Sequence, residues 1–226
     1  MPSAFVRATT PILSLLLFPG LGGCATKPVP RPRAEVMVAA PTKADVWQHV
    51  ASAADAERIA RIGAAWSAAL GEARSRGSRD EVRKEGALLK PEAALARPAP
   101  SPGSYSCRLV EIGATPVRKA AFERFKPFFC YVEVEGELLT IVKQTGSRRP
   151  AGRLWEDDVA TRLVYLGSLA LGNEEQPKAY GEDPSRDMAG VFERVAPFVW
   201  RLVIPNPRNG AKLDVFELTP VAEQPQ

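Results

Sequence analysis

The stretch FFCYVEVEGELLTIVKQ, residues 128–144, decides the fold. Cys130, Val132 and Val134 fall on one side of a period-two repeat, and Tyr131, Glu133 and Glu135 on the other. That alternation belongs to a β-strand with one face toward a core and the other toward water. The run breaks at Glu135-Gly136 and resumes at once, which reads as a tight hairpin. Two strands joined so closely expose their outer edges, and the rest of the chain supplies neighbours to cover them.

Upstream, SYSCRLVEI (104–112) alternates in the same way. Downstream come GRLWED (152–157), TRLVYLGSLAL (161–171) and DMAGVFERV (187–195), then FVWRLVIPNPRNGAKLDVFEL (198–218), in which Asn209-Gly210 suits a turn requiring positive φ. The segment TPVRKAAFERFKP (115–127) fits either a helical turn or an irregular strand. About eight short strands with no long helical pattern after Phe125 predict a mainly β domain over residues 103–221. A small antiparallel up-and-down β-barrel is expected over a sandwich, because closure removes the sheet edges.

The chain before Gly103 obeys a different period. Residues 45–97 look helical: Ser52 and Asp55 stand as capping residues, followed by Ile59, Ile62, Trp66, Leu70 and Ala73 at steps of three and four. Ser78 and Glu81 repeat the spacing of a capping box. One apolar stripe per helix implies packing against the body. The proline-rich ARPAPSPG, residues 96–103, marks the boundary.

Residues 1–23 read as a cleaved export signal: Arg7 precedes TPILSLLLFPGLGG (10–23), which is too short for a membrane-spanning helix. Leu21-Gly22-Gly23-Cys24 resembles the lipobox of bacterial lipoproteins, with Gly22 where Ala, Ser or Thr is commoner. The resemblance implies acylation of Cys24, which would anchor the protein to a membrane through its N-terminal lipid. With Ala25 rather than aspartate next, it also implies an outer-membrane lipoprotein facing the periplasm. Residues 24–44, rich in proline and basic side chains, read as an extended tether. Cysteine arithmetic agrees with export. Of three cysteines, lipidation of Cys24 leaves Cys107 and Cys130, whose strand positions suit a structural disulfide worth about 3 kcal/mol.

The net charge of +4 is not spread evenly. Residues 1–103 carry 14 basic and 9 acidic side chains, whereas residues 104–226 carry 16 and 17. The body is therefore neutral, which argues against nucleic-acid binding.

Taken as strings, SYSCRLVEIG, FFCYVEVEGELL, QTGSRRPAGRLWEDD, VYLGSLALGNEE, YGEDPSRDMAGVFERV and WRLVIPNP with LDVFELTP resemble the family known as domain of unknown function 4893, found in exported proteins of proteobacteria, over residues 45–221. The resemblance implies export and a β-rich body, and it transfers no catalytic residue.

His49 is the one histidine in the chain and lies among the helices, so a Ser-His-Asp or Cys-His arrangement on the barrel is excluded. No catalytic residue, metal site or cofactor is expected. Asp157 and Asp158 are adjacent, and on a strand they would face opposite sides, which is poor geometry for paired carboxylates. Binding has better candidates. Arg148, Arg149 and Arg153 stand close in sequence to Trp155, a combination that can hold an anionic or sugar ligand. Arg201 falls in an apolar run and needs an acidic partner, Glu193 or Asp187. The long loop 172–187 collects Glu174, Glu175, Glu182, Asp183 and Asp187 without EF-hand spacing, and its length suits a lid or a partner-contact loop. The expected role is a lipid-anchored envelope module that contacts another envelope protein. A small-ligand-binding barrel or an envelope-polymer enzyme using carboxylates alone are the alternatives. The barrel interior separates them: apolar filling favours surface contacts, and an open polar cavity favours a ligand or catalysis.

Overall fold

A computed structural model describes residues 43–222, apart from 147, 173, 175 and 176. The export signal, Cys24, nearly all of the tether and Glu175 lie outside the described residues. Four helices come first: α1 (Lys43–Val50), α2 (Ala53–Ala60), α3 (Ile62–Ser75) and α4 (Arg79–Lys84), followed by short 3-10 turns at Gly86–Leu89 and Pro91–Ala93. Nine strands follow: β1 (Gly103–Ile112), β2 (Phe122–Arg124), β3 (Phe128–Glu135), β4 (Leu138–Lys143), β5 (Arg148–Glu156), β6 (Arg162–Leu171), β7 (Asp187–Ala196), β8 (Val199–Pro205) and β9 (Leu213–Pro220).

Every strand pair is antiparallel, and β3 to β9 pair in chain order. β1 closes the circle by pairing β3 through its first half and β9 along nearly its whole length. Eight strands thus form a closed up-and-down barrel, and no barrel strand is left with a bare edge. β2 is the irregular piece within 115–127; it extends the wall beside the second half of β1, where β3 does not reach.

Closure follows from the alternation. Tyr105, Cys107, Cys130, Val132, Ile141, Leu154, Tyr165, Phe192, Leu202 and Phe216 are buried together inside the barrel. Cys107 lies opposite Phe128 and Cys130 opposite Tyr105, so the two cysteines are diagonal neighbours on adjacent strands. They form the disulfide, with Cα atoms 6.0 Å apart. The bond pins the register of β1 against β3. Val134 departs from its expected inward side and is 64% exposed. The strand runs past the start of β1 at that point, since Gly103 pairs Val132, and no wall remains to cover it.

Gly152 on β5 faces Gly167 on β6, and a Cβ on Gly167 would come within 2.5 Å of the Tyr165 hydroxyl. The pair of glycines clears the space in which the Tyr165 ring crosses the interior.

The outward faces of β1 and β6 to β9 carry a second core, where Val110, Ile112, Val164, Val191, Val203 and Val215 meet Trp47, Ile59, Trp66, Leu70 and Leu88 of the helical segment. The helical stripe is interrupted at Arg61, which caps α2 and starts α3. Ser52 caps α2 by accepting a hydrogen bond from the Asp55 N–H. Ser78 precedes α4 without making a side-chain cap bond, so the expected capping box does not form. The described residues make one compact unit, with the helices part of the body.

Two buried charges bolt helices to barrel. Arg201 is fully buried on the outer face of β8: its guanidinium donates to Glu193 at 2.7 Å and to the carbonyls of Leu88, Lys90 and Pro91 at 2.9, 2.8 and 3.0 Å. It also lies 5.0 Å from the centre of the Trp66 ring. Glu85, at the end of α4, accepts from Arg108 at 2.6 Å and from Arg124. Burial alone would raise the Glu85 pKa, but the two guanidinium groups outweigh it and hold the carboxyl below its ordinary value.

Candidate functional site

The barrel ends differ. At the end where β1, β4, β6 and β8 finish, the inward-facing set continues past Leu109, Ile204 and Phe216 into charged residues around a pocket of about 340 Å³. Its floor is apolar, from Leu109, Leu169, Met188, Ile204 and Phe216, with Phe125 and Pro150 on the walls.

On one wall, Glu111 of β1 stands directly opposite Asp214 of β9. The Asn209 amide, from the turn between β8 and β9, bridges them: Nδ2 donates to Glu111 Oε1 at 2.6 Å and to Asp214 Oδ1 at 3.1 Å. Asn209 Oδ1 accepts from the Ala211 N–H at 2.9 Å, which locks the amide in that orientation. Arg118 donates to the other Glu111 oxygen at 3.0 Å. Asp214 is 6% exposed, and burial followed by the neighbouring Glu111 charge pushes its carboxyl up to about 7. Burial also raises Glu111, although Arg118 opposes the shift. Burial thus disfavours the charged form of both carboxyls, and the Glu111 charge adds to the effect at Asp214.

On the wall across the mouth, Lys143 ends β4 and Arg148 begins β5. The Lys143 ammonium sits 4.2 Å from the centre of the Phe128 ring. Burial, reinforced by the Arg148 charge, lowers the Lys143 pKa. Neither cation has a carboxylate within ion-pair distance among the described residues. The other basic side chains at the rim are engaged. Arg58 pairs Asp55 at 2.6 Å, Arg186 pairs Glu174 at 2.5 Å and Asp183 at 3.3 Å, and Arg208 donates to the Pro184 carbonyl.

Beneath the pocket a void of about 10 Å³, room for a single water, is lined by Lys143, Pro150, Tyr165 and Phe216. The Tyr165 hydroxyl is buried and has no hydrogen-bond partner among the described residues.

Of the arginine and tryptophan candidates, the structure brings Arg148 alone to the pocket. Strand alternation turns its neighbours outward. Arg149 donates to the Glu174 carbonyl, and Arg153 pairs Glu135 at 2.6 Å on the exposed outer face. Trp155 packs against the helical cover. Arg201 is corrected from a candidate ligand residue to a structural one, because five acceptors on the body consume its donors. Asp157 anchors α1 by accepting from Trp47 Nε1 at 3.3 Å and from Arg162 at 2.5 Å.

The loop between β6 and β7 is held down on α2. Tyr180 donates to Asp55 at 2.5 Å, and the Gly181 N–H donates to Asp187 at 3.0 Å. Glu174 and Asp183 pair with Arg186, and Asp183 also accepts from Ser185. No group of three or more His, Cys, Asp or Glu among the described residues is arranged to hold a metal ion.

Glu111, Lys143, Asn209 and Asp214 were not singled out by sequence reasoning, yet a signal existed. Cys107 must face inward to meet Cys130, and four residues on along the same strand Glu111 shares that side. Asp214 stands two residues before the inward Phe216.

A second depression lies at the opposite end, lined by Leu139, Leu154, Leu163, Arg153 and Glu135. It is larger, about 760 Å³; Arg153 there is paired with Glu135, and the remaining charges of its lining, Glu137 and Glu156, are acidic.

No curated protein and no solved structure matches the chain. The match that exists runs from Trp47 in α1 to Leu218 in β9 and so takes in both the helical cover and the barrel. On that match over residues 47–218, the chain belongs to the family described as Domain of unknown function (DUF4893).

Proposed function

We propose that this chain is a lipid-tethered envelope protein that binds a small molecule in the open mouth of its barrel. One observation carries the reading: a closed barrel with an apolar interior ends in a pocket of about 340 Å³ that combines an apolar floor with charged groups converging from opposite walls. That mixture of apolar lining and few placed polar groups is typical of ligand sites, and the volume lies at the small end of their range. The open charged mouth is what moves the weight from an envelope-protein partner to a ligand. Export, acylation of Cys24 and retention at the outer membrane supply the address in this reading.

Methyl-detected NMR tests the binding claim. A panel of small amphipathic molecules, anionic, cationic and neutral, is expected to shift methyl signals of Leu109, Leu169, Met188 and Ile204. Leu139, Leu154 and Leu163 at the far end should stay in place as the internal control. A panel without any member that moves the mouth methyls overturns the reading. The address is tested separately by Cys24→Ala, which should abolish stable membrane fractionation or leave the signal uncleaved.

A further inference from the structure

We infer that the mouth pocket selects a small amphipathic monoanion, its carboxylate-type head held between Lys143 and Arg148 and its apolar body laid over Leu109, Met188, Ile204 and Phe216. The inference rests on the reading of the mouth as a small-molecule site and adds the sign of the ligand's charge.

Lys143 and Arg148 flank one turn, β4 to β5, and repel each other: the Arg148 charge acts on Lys143 in the same direction as burial. Two like charges at a partly desolvated rim cost the folded state something, and an anion seated between them replaces repulsion with two attractions. Their chemistry is complementary. The planar fork of Arg148 can take two oxygens of a carboxylate, and the ammonium of Lys143 adds a point charge braced on Phe128. The rest of the rim offers no rival site for an anion, because Arg58, Arg186 and Arg208 already have partners.

The acidic wall does not invite a cation. Both Glu111 oxygens are occupied, one by Asn209 and one by Arg118. Asp214 lies buried beneath the same Asn209 amide, with its proton retained up to about neutral pH. What faces the pocket from that side is a satisfied hydrogen-bonded pair, against which an apolar body can lie. The pocket volume of about 340 Å³ suits one short chain or ring and excludes a two-chain lipid.

Calorimetric titration of the body from Ala40 onward, which is a compact unit by itself, decides the matter at about pH 6, where Asp214 keeps its proton, with three probes of one chain length: octanoate, octylammonium and octanol. Octanoate is expected to bind at least about tenfold more tightly than the other two. Lys143→Met and Arg148→Gln should each weaken octanoate about tenfold and leave octanol unchanged. Lys143→Met keeps the stem on Phe128, and Arg148 is exposed, so unchanged melting temperatures are expected for both. If Lys143→Met fails to fold, Arg148→Gln decides alone.

Octylammonium binding as tightly as octanoate, or octanoate affinity untouched by these changes, overturns the inference. Octanol matching octanoate overturns the charge preference while leaving a small-molecule site in place. No binding by any probe of either sign, or by the neutral one, removes both.

Discussion

The two ends of the barrel are made by the same strands and the same alternation, yet they carry opposite chemistry. At one end Tyr105 meets Trp200 edge-on, with ring centres 5.9 Å apart, and the Tyr105 hydroxyl donates to the Ser101 carbonyl at 2.6 Å. Leu154, Leu163 and Leu218 complete an apolar plug. At the other end the same inward positions hold Glu111, Lys143, Arg148 and Asp214. Burial at the first end is available to stabilise the fold. Burial at the second works against charged groups, as the raised Asp214 and the lowered Lys143 record. On the proposed reading, the barrel separates stability from recognition along its axis. A change at the plug should cost stability and spare the pocket, and a change at the mouth should do the reverse.

The largest effect expected is at the plug. Trp200→Ala removes a ring that is 6% exposed and should cost about 3 to 5 kcal/mol in chemical denaturation, with the affinity of any mouth ligand unchanged. A loss of binding without a loss of stability would break the division between the ends.

The disulfide lies between them. Replacing both Cys107 and Cys130 by alanine should cost about 2 to 5 kcal/mol, and thiol counting on the unfolded, unreduced wild-type body should find no free thiol from this pair. Two free thiols would remove the bond and loosen the register of β1 on β3.

Asp214→Asn should act in the opposite direction. The native carboxyl titrates at about 7, above its ordinary value of 3.8, so between those values the native state holds a proton that the unfolded chain has released. Wild-type stability should therefore fall as pH rises from about 4 to about 7 and stay low above it. Glu111 has the same sign, with Arg118 opposing it. Asparagine removes the penalty, so the variant should gain on the order of 3 kcal/mol at pH 8 and little at pH 4, read from denaturation midpoints at both values. Equal effects at the two pH values would show that the mouth carries no such electrostatic burden.

The smallest effect is expected in the middle of the interior. Tyr165→Phe deletes a buried hydroxyl with no partner among the described residues and should stabilise by about 1 kcal/mol. Destabilisation instead would put a bound water in the void beneath the pocket.

Much of this architecture was legible because a strand's period is short and local. The alternation in SYSCRLVEI, FFCYVEVE and LDVFEL predicts which side of each strand is buried, and glycine in the turns predicts where the chain reverses. Eight alternating strands in sequence leave few topologies other than a meander that closes. The cysteine pairing followed from the expected export and from parity, and the helical stripe from its steps of three and four. The same local logic failed where side chains depend on neighbours distant in sequence. Arg148, Arg149, Arg153 and Trp155 look like one cluster in the chain, but the pleat sends Arg148 into the mouth and the others to the outer surface. For Arg201 the acidic partner Glu193 was legible as a possibility, but the carbonyls of Leu88, Lys90 and Pro91 that complete its cage arrive from more than a hundred residues away.

The strands, nearly all of their inward faces, the helical cover and the cysteine pair are written in the chain, because each depends on a repeat or spacing within a dozen or so residues, or on a count. Tertiary contacts set the rest: Glu111 faces Asp214, Asn209 spans them, and Lys143 and Arg148 stand across the mouth with no carboxylate at ion-pair distance among the described residues. Those relations are set by how β1 meets β9 when the barrel closes. Closure joins residues a hundred positions apart, and no local period encodes which of them meet.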